Sequence, residues 1–301
     1  MTNANSGAGA AKTLLCLGFG YSAETLAKSL LAEGWRVIGT TRSAGRAREI
    51  ERLGASPLLL EDGLDDPKLS AALAEANHLL SSVAPDAQSD PVLREIGPRL
   101  EVSRNLVWLG YLSTTGVYGD RQGGWVDEET PTDPGNPRSQ RRVGAETGWE
   151  RLCLDRGLPV HIFRLSGIYG PGRSQVDAVK VGRARRIVKP GQVFSRIHVK
   201  DIARGLRASM AAPNPGRIYN FADDEPAAAD EVVAYAAKLL GVEPPPEIPF
   251  EDADLSDMAL EFYSECRRVQ NLRLRRELGV DLAYPTYREG LAAQVEATEP
   301  A

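Results

Sequence analysis

Short, continuous runs of apolar residues alternate with stretches of helical periodicity through the first two thirds of this 301-residue chain. The runs at 14–17, 35–39, 57–60, 77–83, 106–113 and 159–165 read as strands, and the intervening 22–33, 44–53, 67–75, 90–104 and 140–156 as helices. Strands written as unbroken apolar runs, without polar alternation, are buried on both faces. That pattern predicts an α/β fold, a doubly wound parallel sheet with helices on both sides. After residue 168 the pattern changes. A Gly/Pro/Arg-rich segment spans 169–192, followed by a short Ile197-His198-Val199 element, a strand at 217–221, a helix at 228–240 and Pro244-Pro245-Pro246. An acidic stretch then leads to helices expected near 265–277 and 286–297. The organisation that follows is a disordered tail over 1–11, a main domain over 12–168 to which 197–223 returns, and a smaller C-terminal lobe built from 169–196 and 224–301.

The connection after the first strand is Gly18-Phe19-Gly20-Tyr21-Ser22-Ala23, and it opens the first helix. Glycines in GxGxxA spacing between a strand and a helix let backbone N–H groups approach a pyrophosphate at the helix N-terminus, so the sheet is expected to be Rossmann-type with a dinucleotide as its ligand. Phe19, Tyr21 and Ser22 fall within this loop. Where a site for NAD usually has an acidic residue for the ribose 2′-OH, the second strand here runs into Thr40-Thr41-Arg42-Ser43. A fixed guanidinium with Thr41 and Ser43 hydroxyls beside it suits a 2′-phosphate, which favours NADP(H), with NAD as the alternative. A solvated surface arginine is the other reading of Arg42, and Arg46 and Arg48 stand close enough in sequence to share the role.

A net charge of −5 suggests neither nucleic acid nor an anionic membrane as partner. No stretch of about 18 apolar residues is present and no charged-then-apolar signal opens the chain, so the expectation is a cytoplasmic protein acting on a small-molecule substrate. Three cysteines without CxxC spacing and three histidines without ligand spacing argue against a metal site.

Several segments in order resemble the extended short-chain dehydrogenase/reductase family, which includes NAD-dependent epimerases and dehydratases. They are the glycine loop, Leu112-Ser113-Thr114-Thr115-Gly116-Val117-Tyr118-Gly119, Arg164-Leu165-Ser166-Gly167-Ile168-Tyr169-Gly170-Pro171-Gly172, Ile197-His198-Val199-Lys200-Asp201 and Tyr219-Asn220-Phe221-Ala222. The resemblance spans about residues 13 to 292. It implies hydride chemistry with Thr114 orienting a carbonyl oxygen, Asp62 receiving the adenine amino group, and Ser82, Val83 and Ala84 passing the ribose and pyrophosphate. It also implies Ser166 beside the nicotinamide amide, and a homodimer.

The chain departs from the family at the catalytic pair. No Tyr-x-x-x-Lys occurs anywhere, and aligning Ala145-Glu146 with the family's helix puts Arg138 at the Tyr position and Arg142 at the Lys position. Arginine does not release a proton in the working pH range, so Arg138 is no substitute acid; Arg142 is able to hold a ribose or a phosphate. Tyr118, Tyr169 and Tyr111 remain as candidate acids, with Tyr118 nearest by motif and aromatic packing as its alternative role. His198 is read either as a group titrating near neutrality or as a satisfied hydrogen-bonding histidine. Arg138, Arg173 and Arg196 are the candidate substrate-binding cations, suited to an anion. Two functions follow: an NADP(H)-dependent, epimerase/dehydratase-like oxidoreductase acting on a small carbonyl, hydroxyl or sugar-linked compound, or a non-catalytic NADP(H)-binding redox sensor.

Overall fold

A computed structural model of the protein describes residues 12–61, 63–101, 103 and 105–297. Strands and helices alternate strictly at first: β1 (Thr13–Leu17), α1 (Tyr21–Ala32), β2 (Arg36–Thr41), α2 (Ala44–Arg52), β3 (Ser56–Leu59), α3 (Pro67–Glu75), β4 (His78–Ser81), α4 (Pro91–Glu101) and β5 (Trp108–Thr114). A two-residue strand, β6 (Trp125–Val126), then precedes the long α5 (Pro137–Arg156), β7 (Val160–Leu165), β8 (Gly167–Tyr169), α6 (Gln175–Lys180), β9 (Arg186–Val188), β10 (Arg196–His198), α7 (Val199–Ala211) and β11 (Ile218–Phe221). The chain finishes through α8 (Ala229–Leu239), β12 (Glu247–Pro249), α9 (Asp257–Ser264), β13 (Arg268–Val269), α10 (Leu272–Leu278) and α11 (Tyr287–Glu296). Among the described residues no helix is long and apolar enough to cross a membrane.

Seven strands form one parallel sheet in the order β3-β2-β1-β4-β5-β7-β11. The unbroken apolar runs are explained by the two faces they serve. In β1, Leu14 and Cys16 pack on one side against Leu26, Ala27 and Leu30 of α1 and Ile202 and Leu206 of α7. Leu15 and Leu17 point the other way, into a cluster holding Leu69 of α3, Val92 and Ile96 of α4 and Trp149 of α5. At about 1.5–3 kcal/mol for each fully buried large aliphatic side chain, these two layers supply the main drive for folding. A smaller third cluster joins Tyr169, Val176, Ala227, Val232, Ala236, Tyr287 and Leu291.

The helix expected over 265–277 is in fact two structures. Only 272–278 is helical. The stretch before it is extended because its backbone groups are taken by another segment: Arg268 N–H donates to the Gly124 carbonyl at 2.9 Å, Gln270 N–H to Val126 at 2.8 Å, and the Cys266 carbonyl accepts from Arg121 and Gly123. The preceding acidic stretch, conversely, carries α9, whose first turn is capped by the Ser256 hydroxyl.

Below the C-terminal ends of β5 and β7 lies a buried ion pair. Arg164 of β7 and Glu146 of α5 are 5% and 4% exposed at their side chains, and they meet through Nη2 to Oε2 at 2.7 Å with Nε in reach of both oxygens at 3.2 Å. Ser113 of β5 donates to Glu146 at 2.5 Å. Arg164 also donates to the Tyr118 hydroxyl at 3.0 Å, and Tyr118 donates onward to Asn220 Oδ1 at 2.8 Å. Tyr118 is therefore fully buried and serves as a core link. It does not reach the cleft in the way a catalytic phenol would have to, and burial pushes its pKa up. Glu128 is also inside the fold, accepting from the Asn220 N–H at 2.7 Å.

Three histidines are buried, and burial lowers each from 6.5 to about 4: His78, His161 and His198. His198 accepts the Lys200 N–H at the start of α7, so it is a helix cap held neutral rather than a group titrating near neutrality.

Two outcomes are expected. Replacing Glu146 by Gln leaves the Arg164 cation buried without its counter-charge, and urea unfolding should show a loss of about 3–5 kcal/mol. The histidines bind protons in the unfolded chain near pH 6.5 but in the folded chain only near 4. Their stabilising contribution is therefore complete above pH 6.5 and is lost as the pH falls toward 4, which a series of urea midpoints between pH 7.5 and roughly 4.5 measures.

Candidate functional site

The sheet order reverses at β1, whose neighbours are β2 on one side and β4 on the other. In open parallel sheets such a reversal opens a crevice beyond the strand ends, where ligands bind. The glycine loop sits there. Gly18 has φ +80°, its N–H donates to Thr40 Oγ1 at 2.8 Å, and a Cβ on it would stand 2.9 Å from Ser82 Oγ. Ser82, just past β4, returns a hydrogen bond from its hydroxyl to the Gly18 carbonyl at 2.8 Å, with Val83 packed beneath the loop. Gly20 is the N-cap of α1 with no side chain satisfying the first turn, and a Cβ there would meet nothing within 4 Å. Open space thus lies in front of amides that have no helical acceptor.

Phe19 does not present its ring to this space. The ring is 6% exposed and lies against β2, so close that a Cβ on Gly39 would be 2.4 Å from it. The Phe19 carbonyl accepts from Arg46 Nη2 at 3.1 Å, and the same nitrogen pairs with Glu24 of α1 at 2.6 Å. Arg46 therefore fastens α2 to the glycine loop, which brings Thr41, Arg42 and Ser43 beside it. Thr41 Oγ1 accepts the Ser43 N–H at 3.1 Å and Ser43 caps α2, so both hydroxyls keep their protons available to donate. Arg42 is exposed, and its guanidinium has no partner among the described residues. Asp62 lies outside the described residues.

A cleft of about 830 Å³ opens from the loop across the ends of β5 and β7. It gathers Gly20, Tyr21, Ser22, Ser82, Thr114 and Ser166, together with Arg138, Arg142, Arg173 and Arg196. Gly18, Phe19, Thr41, Arg42, Ser43, Val83, Ala84 and Tyr118 are not on its walls.

The expected site residues divide by what already holds them. Thr114 Oγ1 accepts the Gly116 N–H at 3.1 Å, leaving its own proton free. The Ser166 hydroxyl is buried with no hydrogen-bond partner among the described residues. Arg142 Nη1 donates to the Leu112 carbonyl at 2.9 Å and the Tyr111 hydroxyl at 3.0 Å, which pins it to the strand end. Tyr111 is itself fully buried, its phenol pKa raised by that burial and partly restrained by Arg142. Arg196 donates to the Phe194 and Ala227 carbonyls at 2.8 and 2.9 Å, so much of its donor capacity braces the wall. Arg138, in the first turn of α5, and Arg173 are exposed, and neither guanidinium has a partner among the described residues.

Two wall residues were not legible in the sequence. Glu265 accepts from Asn136 at 2.9 Å and from Arg267 at 2.6 Å, and Arg267 also donates to the Gly119 carbonyl at 2.7 Å. Their contribution depends on 265–270 not being helical, which the pairing with the segment 121–126 decides.

A dinucleotide fits these residues. The open space before the amides of α1 suits linked phosphates, and the unpartnered Ser166 hydroxyl is a polar group that such a ligand satisfies.

Comparison with known proteins agrees with this layout. The profile described as the NAD dependent epimerase/dehydratase family matches residues 100–222. Protein YeeZ of Escherichia coli (strain K12) is 29% identical over 287 residues, covering 91% of this chain and 97% of its own. A solved structure of a functionally unknown conserved protein from Silicibacter pomeroyi DSS is 49% identical, with a TM-score of 0.88 over 96% of this chain and 100% of that one. The dTDP-glucose 4,6-dehydratase of Bacillus anthracis str. Ames, solved in complex with NAD, shares the fold with a TM-score of 0.74 at 19% identity, over 95% of this chain and 96% of that one. With a seven-stranded parallel sheet and a glycine loop at its reversal point, the chain has the fold of these relatives, and its residues 100–222 match the NAD dependent epimerase/dehydratase family.

Proposed function

We propose that the protein is an NADP(H)-dependent oxidoreductase acting on a small carbonyl or hydroxyl compound, sugar-linked or free. The observation that carries this reading is the single cleft that holds the amides of the glycine loop, Thr114 and the unpartnered Ser166 hydroxyl together. The amides after Gly20, at Tyr21 and Ser22, receive the pyrophosphate, with Ser82, just past β4, bracing the loop. Arg42, with the hydroxyls of Thr41 and Ser43, reads a 2′-phosphate, and NAD is the alternative if that cation stays in solvent. Val83 and Ala84 border the ribose path, and Ser166 faces the nicotinamide end. When bound, the coenzyme supplies or accepts the hydride. The chain's own groups orient the reactants: Thr114 donates to a substrate oxygen, Arg142 fixes the strand end on which Thr114 sits, and Arg138 and Arg196 present positive charge to the substrate.

A second reading, non-catalytic NADP(H) binding that reports redox state, is favoured by one observation. The resemblance assigns Arg138 and Arg142 to the positions of the family's proton-transfer pair, and what supports this reading in the structure is that Tyr118, Tyr111 and Tyr169 are all buried.

Binding titrations test the cofactor. Arg42→Ala should raise the Kd for NADPH about ten- to a hundredfold and leave that for NADH unchanged, because only one of the two carries the extra phosphate. Equal affinities before and after the change would overturn the NADP(H) assignment. For chemistry, transfer of label from C4-deuterated NADPH to a panel of carbonyl compounds should be stereospecific, and Thr114→Val should lower kcat/KM about a hundredfold. Tight cofactor binding with no turnover on any panel member would favour the sensor.

A further inference from the structure

Resting on the dinucleotide reading above, we infer that Arg173 belongs to the coenzyme rather than the substrate: it is a second cation for the pyrophosphate, carried across the cleft on a turn that is latched to the glycine loop by Tyr21.

The turn is Gly170-Pro171-Gly172-Arg173. Arg173 N–H donates to the Gly170 carbonyl at 2.9 Å and Gly170 N–H to the Arg173 carbonyl at 3.2 Å, with Gly172 at φ +76°. Proline followed by a residue of positive φ inside a closed four-residue turn is the type II arrangement, which is stiff and presents its end residue in one direction. The latch is the Tyr21 hydroxyl, which donates to the Pro171 carbonyl at 2.9 Å across 150 positions of sequence. The contact is close: a Cβ on Gly170 would come within 2.6 Å of the Tyr21 oxygen. Tyr21 is the first residue of α1, so its backbone amide faces the open space at Gly20 while its side chain holds the turn.

Arg173 lines the same cleft as Gly20, Tyr21 and Ser22, and its guanidinium has no partner among the described residues. Burial lifts the Tyr21 phenol to about 12, and the Arg173 cation partly holds it down. The neighbouring carboxylate, Asp177, accepts the Ser174 hydroxyl at 2.7 Å, and the Asp177 N–H donates to that same hydroxyl oxygen at 3.2 Å. A dinucleotide's linked phosphates carry two negative charges, whereas one helix N-terminus offers about half a positive one. A guanidinium on the same cleft, without a partner among the described residues, supplies the charge the loop lacks, in the bidentate form arginine makes with phosphate oxygens.

The test uses the full chain with NADH, NADPH and ADP-ribose as probes, with Kd by titration and release by stopped flow. Arg173→Gln should weaken all three by about the same factor, of order tenfold, since all three carry the pyrophosphate, and Arg173→Lys should recover part of the loss. Tyr21→Phe should quicken release of the nicotinamide coenzymes several-fold with the fold intact. Unchanged Kd values in Arg173→Gln overturn the inference, as does a loss confined to NADPH, which would assign Arg173 to the 2′-phosphate. A wild-type chain that retains none of the probes overturns the dinucleotide reading itself, and this inference with it.

Discussion

The buried pair between Arg164 and Glu146 is the interaction on which the cleft depends. It joins β7 to α5, and through Ser113 it holds β5 as well, so three elements that share no local sequence are fixed to one another. Each of them delivers a cleft residue: Thr114 at the end of β5, Arg142 on α5, Ser166 at the end of β7. A charge pair in so dry a place adds little net stability compared with an apolar filling, but its geometry is demanding. Bidentate contact tolerates little sliding between helix and strand, so the network specifies register where the hydrophobic layers alone would permit several.

The same logic sorts the arginines. Five guanidinium groups line the cleft, at positions 138, 142, 173, 196 and 267, and they do different work. Arg142, Arg196 and Arg267 donate to carbonyls or carboxylates of the chain and so build walls. Arg138 and Arg173 have no such partners among the described residues, so the chain does not occupy their donors. A cation in the first turn of α5 sits against the helix dipole, an arrangement costing about 0.3–1 kcal/mol that an anion at the same place would offset. Arginine keeps its proton through the working pH range, so Arg138 offers that end of the cleft a permanent positive charge.

What the amino-acid sequence determined by itself is the sheet, its helices and the glycine loop. Unbroken apolar runs such as Leu14-Leu15-Cys16-Leu17 have no polar face to expose, so only a sheet covered on both sides accommodates them, and Gly18 is required where the backbone turns left-handed over Ser82. These are local or periodic constraints, and they survive without knowledge of the partners. Tertiary structure alone decided the rest. Tyr118 lies within a few residues of Thr114 in sequence, yet its hydroxyl is captured by Arg164 and Asn220, about 46 and 102 positions away, and is thereby withdrawn from the cleft. Residues 265–270 fall within the expected helix but are not helical, because the segment 121–126 takes backbone hydrogen bonds of Cys266, Arg268 and Gln270. Arg196 and Arg173 look alike in the sequence; one is braced by two carbonyls and the other has no side-chain partner among the described residues. Hydrogen-bond partners distant in the chain carry no signature in the local pattern, and it is these partners that separate a residue of the core from a residue of the site.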